Sequence, residues 1–184
     1  MSHPLPIEHA SASSVLGGDE DAYGALNVLD GREDTCWNSD GGAQQALVLT
    51  LAARAASVAA LELVFQGGFV GQDMRVAGRA DACSSSECGS GSSGGGADAA
   101  AACACAGAAE AELGRFQPQD ANEPQRFALA RAGPVRELRV SFTGSTDFYG
   151  RVVVYAARVY GSSSEGGAEA VGGGEPEGGG GGTG

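Results

Sequence analysis

Apolar and polar residues alternate along several short stretches of this chain with the period of a β-strand. The cleanest is 135–142 (VRELRVSF), where Val135, Glu137, Arg139 and Ser141 oppose Arg136, Leu138, Val140 and Phe142. Residues 57–65 (SVAALELVF) place Val58, Ala60, Glu62 and Val64 on one face and Ala59, Leu61, Leu63 and Phe65 on the other. Residues 46–51 (ALVLTL) and 151–160 (RVVVYAARVY) read as strands from their apolar and β-branched content. Shorter strands are predicted over 74–78, 112–117 and 125–129, the last two flanking a Pro-Gln-Asp-Ala-Asn-Glu-Pro turn. Residues 25–29 predict a short turn or helical stub, and Gln66-Gly67-Gly68-Phe69 ends the strand before it. No long amphipathic helix with caps stands out. Short strands between turn signals predict an all-β sandwich or jelly roll. Its predicted core is Trp37, Leu47, Leu49, Leu61, Leu63, Phe65, Leu138, Val140, Phe142, Val153 and Val159.

Two stretches fall outside this pattern. Residues 81–109 are almost all small, and 162–184 are rich in Gly and Glu. Neither buries enough apolar surface to offset the entropy of ordering, so both are expected to be disordered. The polar N-terminus is expected to run as a flexible arm over residues 1–9. The expected domain is therefore 10–161, interrupted by the insert, and roughly 130 residues suffice for one core.

Charge narrows the partners. With 11 basic and 23 acidic residues the formal charge is −12, and every basic residue is Arg. That balance argues against direct nucleic-acid binding or an anionic membrane surface, both of which need a basic patch. The acid is unevenly spread. Glu165, Glu169, Glu175 and Glu177 crowd the C-terminal stretch, whereas Arg outnumbers acid between Glu112 and Tyr160. One face of the fold is thus expected to be mildly basic. No apolar run is long enough to span a bilayer, and residues 1–14 lack the basic and apolar regions of a secretory signal. The expected location is intracellular, nucleus or cytoplasm, with no secretion, and reduced thiols follow from it.

Candidate chemistry is sparse. Both histidines, His3 and His9, fall in the expected arm, and a nucleophile–base pair needs a rigid scaffold. Gly89-Ser90-Gly91-Ser92-Ser93-Gly94 matches a dinucleotide fingerprint by spacing, but it follows no strand and opens no helix. Cys83, Cys88, Cys103 and Cys105 number enough thiols for zinc, at unusual spacings in an Ala/Gly matrix. Asp30, Asp34 and Thr35 offer oxygen ligands within one turn, a weak calcium candidate. The competing reading is an Asx turn whose side chains bond local amides. Trp37 reads as a core anchor. Phe69, Phe148 and Tyr149 sit beside glycines in predicted loops, where exposed aromatics suit a contact rim or fold back as plugs.

Three blocks, 34–40 (DTCWNSD), 65–69 (FQGGF) and 146–161 (TDFYGRVVVYAARVYG), together resemble the nuclear receptor 2C2-associated protein family. That family is similar to discoidin, or coagulation factor V/VIII C-type, domains. The resemblance implies a galactose-binding-like jelly roll whose loops at one end form the ligand rim. On this chain the rim would be Asn38, Ser39, Asp40, Gln66, Phe69, Asp147, Phe148, Tyr149 and Arg151, with Trp37, Gly67 and Gly150 structural. Two positions depart from the pattern. Ala156 stands where related domains carry a calcium-binding Glu, and Ala46 where Trp commonly follows Gln. The first disfavours calcium, and no cofactor is expected. The resulting expectation is a non-catalytic, regulatory or transcription-associated module that binds a protein partner through those loops. The alternative is a glycan binder using Asp40, Gln66, Asp147 and Arg151 as hydrogen-bonding groups and Phe69 or Tyr149 as a platform.

Overall fold

The computed structural model describes residues 3–52, 56–80, 110–130 and 134–163. The small-residue insert, its four cysteines and its glycine motif lie outside them, as does the C-terminal stretch beyond Ser163. The described strands are β1 (His3–Leu5), β2 (Ile7–Ala12), β3 (Trp37–Asn38), β4 (Gln45–Leu51), β5 (Ala56–Phe65), β6 (Gly71–Gln72) and β7 (Met74–Arg79). They continue as β8 (Ala111–Phe116), β9 (Gln125–Ala128), β10 (Glu137–Phe142), β11 (Gly144–Ser145) and β12 (Val153–Ser163). All pairings are antiparallel. One sheet runs β1-β12-β5-β9 with β3 also on β12, the other β2-β4-β10-β7-β8, and β6 pairs with β11. This is the all-β jelly roll expected from the pattern.

The two sheets meet over a shared core. Phe65 of the first sheet and Phe142 of the second pack edge to face, with centroids 6.0 Å apart. Every residue of the predicted core is buried, and Val58, Val70, Met74, Val76, Leu113, Val152 and Val154 join it. Gly71 is required here, because a Cβ on it would lie 2.3 Å from the Phe142 ring.

Three expectations are corrected. The flexible arm over 1–9 is not what residues 3–9 form: Leu5 pairs with Val159, and Ala10 with Leu49. Leu5 and Ala10 are buried, and a polar-looking terminus is held by its few apolar residues and the open strand edges they reach. Ser162 and Ser163, placed in the expected disordered tail, likewise extend β12 against Ser57 and Ala56. The face assigned to β5 also breaks once. Val58 and Leu61 are both buried although three residues apart. The register against β12 skips Ala59, and this one-residue bulge exchanges the two faces.

Register also defines two ends. Leu47–Ala12, Phe142–Gln45, Met74–Phe116, Leu63–Gln125 and Val153–Asn38 are neighbouring pairs, so the loops leaving them gather together. Loops 39–44, 66–70, 117–124 and 146–152 all cross between the sheets at this end. Arg79 and Ala111, which bracket the insert, stand at the other.

Candidate functional site

Tight turns set the rim. Phe69 N–H donates to the Gln66 carbonyl at 3.0 Å, closing a β-turn with Gly68 at φ 82°. The next amides are capped from a different loop: Gly67 N–H donates to Asn122 Oδ1 and Gly68 N–H to Asp120 Oδ1, both at 2.7 Å. Tyr155 Oη donates to Gln66 Oε1 at 3.2 Å. Gln66 is thus a structural brace, and the left-handed conformation falls on Gly68 and not on Gly67.

Asp147 organises the aromatic loop. Its Oδ2 accepts from the Tyr149 and Arg151 amides, each at 3.1 Å, and from Arg151 Nε at 3.0 Å. Its Oδ1 accepts from the Arg151 guanidinium at 3.3 Å. The Arg151 hydrogen bonds hold the Asp147 carboxyl below its ordinary range. The unprotonated form is the one that accepts these bonds. Their contribution is therefore present above the ordinary value of 3.8 and lost as pH falls through the depressed one. The Tyr149 and Arg151 amide resonances should titrate with a midpoint below the ordinary 3.8. A transition midpoint at or above 3.8 in an NMR acid titration would refute this clamp.

Arg151 is held on both sides. Its guanidinium carbon lies 5.0 Å from the Phe69 ring centroid and 5.6 Å from that of Tyr149. Tyr149 in turn meets Phe148 edge to face at 5.3 Å. Phe148 is 93% exposed and Tyr149 68% exposed. The loop beneath them presses on its neighbour, as Gly42 N–H donates to the Tyr149 carbonyl at 3.0 Å. Gly150 has φ 79°, and a Cβ there would lie 2.3 Å from the Gly42 oxygen, so the structural role expected of Gly150 has a steric basis.

The remaining predicted residues divide. Asp40 is exposed at the rim. Ser39 is fully buried and not a rim residue. Its Oγ accepts from Val152 N–H at 2.8 Å and donates to the Asp40 carbonyl at 3.0 Å. A two-residue strand turned it inward, which no local alternation announced. Asn38 in β3 pairs with Val153 of β12, and its buried Oδ1 accepts no hydrogen bond from the described residues.

Three anchors escaped sequence reading. Asp120 and Asn122 cap a turn more than fifty residues away, so no local signal marks them. Gln45 is 5% exposed. Its Oε1 accepts from Ser14 Oγ at 2.6 Å and Ser13 Oγ at 3.0 Å, and its Nε2 donates to the Asp40 carbonyl at 2.8 Å. The preference of polar residues for the surface hid it.

The calcium candidate does not fit. Asp30 Oδ1 accepts from Arg32 N–H at 2.9 Å, closing an Asx turn, and Oδ2 accepts from Thr35 Oγ1 at 2.7 Å. Both Asp34 oxygens take the Arg32 guanidinium, at 2.9 and 2.8 Å. An ion there would displace four hydrogen bonds and face a fixed guanidinium. Nor do the described residues bring together three His, Cys, Asp or Glu side chains in metal-binding range. His3 and His9 lie exposed on strands, not on an arm, at the end away from the rim. Cys36 is half-buried, and burial pushes its thiol up, away from reactivity.

No family model matches the chain. Curated relatives do. Nuclear receptor 2C2-associated protein of Xenopus laevis is 34% identical over 149 residues, 81% of this chain and 90% of that protein. The Bos taurus protein is 33% identical, covering 90% of this chain and 100% of its own length. The Homo sapiens protein is 34% identical over 88% and 98%. Solved structures share the fold at lower identity. A chitosan-binding module from a Paenibacillus chitosanase/glucanase superposes with TM-score 0.62 at 17% identity, covering 86% of this chain and 99% of that one. The family 32 carbohydrate-binding module of C. perfringens NanJ, in complex with galactose, gives 0.61 at 14%, with coverage of 87% and 99%. An F5/8 type C domain from Bacteroides fragilis gives 0.61 at 14%, with coverage of 86% and 97%. On relatives matched along nearly their whole length and on a discoidin-type sandwich, the chain belongs to the nuclear receptor 2C2-associated protein family.

Proposed function

We propose that this chain is a non-catalytic binding module that engages a protein partner through its rim, in a regulatory role. The carrying observation is the exposed Phe148–Tyr149 pair on a loop fixed by Asp147, Arg151 and Gly150. Large aromatics presented on a preorganised backbone beside an Arg are the composition of a protein-binding hot spot, and rigidity reduces the entropy lost on association. The relatives' description as receptor-associated agrees with this reading. A glycan remains the second reading, favoured by neighbours that include a galactose complex. It is weakened by the state of its polar groups: Asp147 and Gln66 already spend their side chains on internal bonds.

The double variant Phe148→Ala/Tyr149→Ala tests both. Both side chains are exposed, so the melting temperature should hold within a degree or so. Affinity purification with quantitative mass spectrometry should lose the partner at least tenfold, since each hot-spot aromatic contributes about 2 kcal/mol or more. Unchanged partner recovery would sink the rim assignment. Retention of the native protein on a glycan array, abolished by the same variant, would move the function to the second reading.

A further inference from the structure

The outward face of the second sheet carries a cluster of arginines. Register fixes it as a grid over β7, β10 and β4. One row is Arg75, Ser141 and Ala46; the next is Ala77, Arg139 and Val48; the third is Arg79, Glu137 and Thr50. Arg79 and Glu137 neutralise one another. The rows nearer the rim are not neutral. Arg75 stands directly opposite Arg115, a like-charge pair that destabilises a sheet unless an anion intervenes. Glu112 serves both, accepting from Arg75 Nε at 2.7 Å and from Arg115 Nε at 2.9 Å. These two guanidinium groups hold the Glu112 carboxyl below its ordinary range. One carboxylate thus answers two guanidinium groups. Arg139 is exposed and has no carboxylate partner among the described residues.

The shape follows from the same grid. Ala46 and Ala77 are small and buried at 6% and 2%, so the floor is low between long arginines. A depression of about 400 Å³ lies between Arg75 and Arg139, bordered by Ser141 and Thr143. Arg75 also borders a second of about 380 Å³ toward Arg115, and Arg139 a third of about 280 Å³ toward Glu137. The three follow one another across the sheet, with Arg75 and Arg139 as the walls they share, and are treated as one groove. The acids facing it are Asp73 and Glu112 at one end, and Glu137 and Glu110 at the other. Asp73 is taken by Gln117, and Glu137 by Arg79.

We propose that this groove docks an acidic peptide segment of a partner protein, with Arg139 and Arg75 gripping its carboxylates. The two arginines are diagonal neighbours, about 7–8 Å apart along the sheet and somewhat less at Cβ, close enough to share one carboxylate or hold two in sequence. An extended peptide presents alternate side chains to one face, and Ser141 and Thr143 offer hydroxyls between the charges. The chain's net charge of −12 does not forbid this. Screening confines the field to about 8 Å at physiological salt, so the local arginines govern. The surface lies on a sheet face and not at the rim, and the proposal does not rest on the rim reading.

A dye-labelled peptide of alternating Glu and Ser, titrated into the full chain and followed by anisotropy, is the test. Saturable binding is expected at about 50 mM salt, weakening steeply by about 300 mM. Arg139→Glu should weaken it about tenfold, Arg75→Glu comparably, and Arg139→Gln by an intermediate factor. Arg32→Glu changes the net charge identically from an exposed loop off this face and should leave binding intact. Melting curves of each variant confirm the fold. No saturable binding at low salt would overturn the proposal. So would equal binding by Arg139→Glu, or binding of anionic vesicles or inorganic phosphate with none of the peptide.

Discussion

Trp37→Ala should unfold or nearly unfold this protein, at a cost of about 3–5 kcal/mol. Trp37 is fully buried in β3, beside the point where β12 enters the first sheet. Its indole Nε1–H donates to the Ser14 carbonyl at 3.0 Å, tying the segment after β2 to the core. The substitution therefore opens a large cavity and orphans a carbonyl at once. Domains of this size have net stabilities of about 5–15 kcal/mol, so one such loss consumes much of the total. Because Trp37 is the only tryptophan, the variant must be followed by far-ultraviolet circular dichroism. Trp37→Phe retains most of the volume but not the N–H, and should cost about 1–2 kcal/mol. A Trp37→Ala protein melting within a few degrees of the native one would remove Trp37 from the core.

How much of this was legible in the sequence depends on range. The alternation of 135–142 named the inward residues Leu138, Val140 and Phe142 within β10, which is central and paired on both sides, but it put Val135 on the opposite face, and Val135, just before the strand, is buried. In β5 the same reasoning failed on the N-terminal side of Ala59, at Val58, since a bulge is set by the facing strand and leaves no local mark. The rim divides in the same way. The resemblance and the glycines pointed to Phe148, Tyr149, Gly150 and Arg151, which the structure gathers in one loop. The same reading put Ser39 at the surface, and nothing in the sequence joins Asp120 and Asn122 to Gly68 and Gly67. Bonds spanning fifty residues are products of topology. Local periodicity carries no information about them.

Gln45→Leu is expected to destabilise the fold by about 1–2 kcal/mol. Leucine fits the volume but neither accepts from Ser13 and Ser14 nor donates to the Asp40 carbonyl. Ser14 is half-buried, so its hydroxyl, left without an acceptor, bears a desolvation cost, whereas Ser13 is exposed and the Asp40 carbonyl keeps the Ser39 hydroxyl. The damage should also travel. Ser14 bonds the Asp40 amide through Oγ at 3.1 Å and the Trp37 indole through its carbonyl. The next loop residues meet the aromatic loop through the Gly42–Tyr149 hydrogen bond. Loosening Gln45 should therefore red-shift Trp37 emission and weaken partner capture together. The Phe148→Ala/Tyr149→Ala variant should weaken capture alone. Urea denaturation followed by Trp37 fluorescence separates the two, because Gln45→Leu lowers the midpoint and the rim variant does not. If Gln45→Leu instead kept its midpoint and emission maximum, water would be satisfying Ser13, Ser14 and Asp40, and the rim would be held by its glycine contacts without this brace.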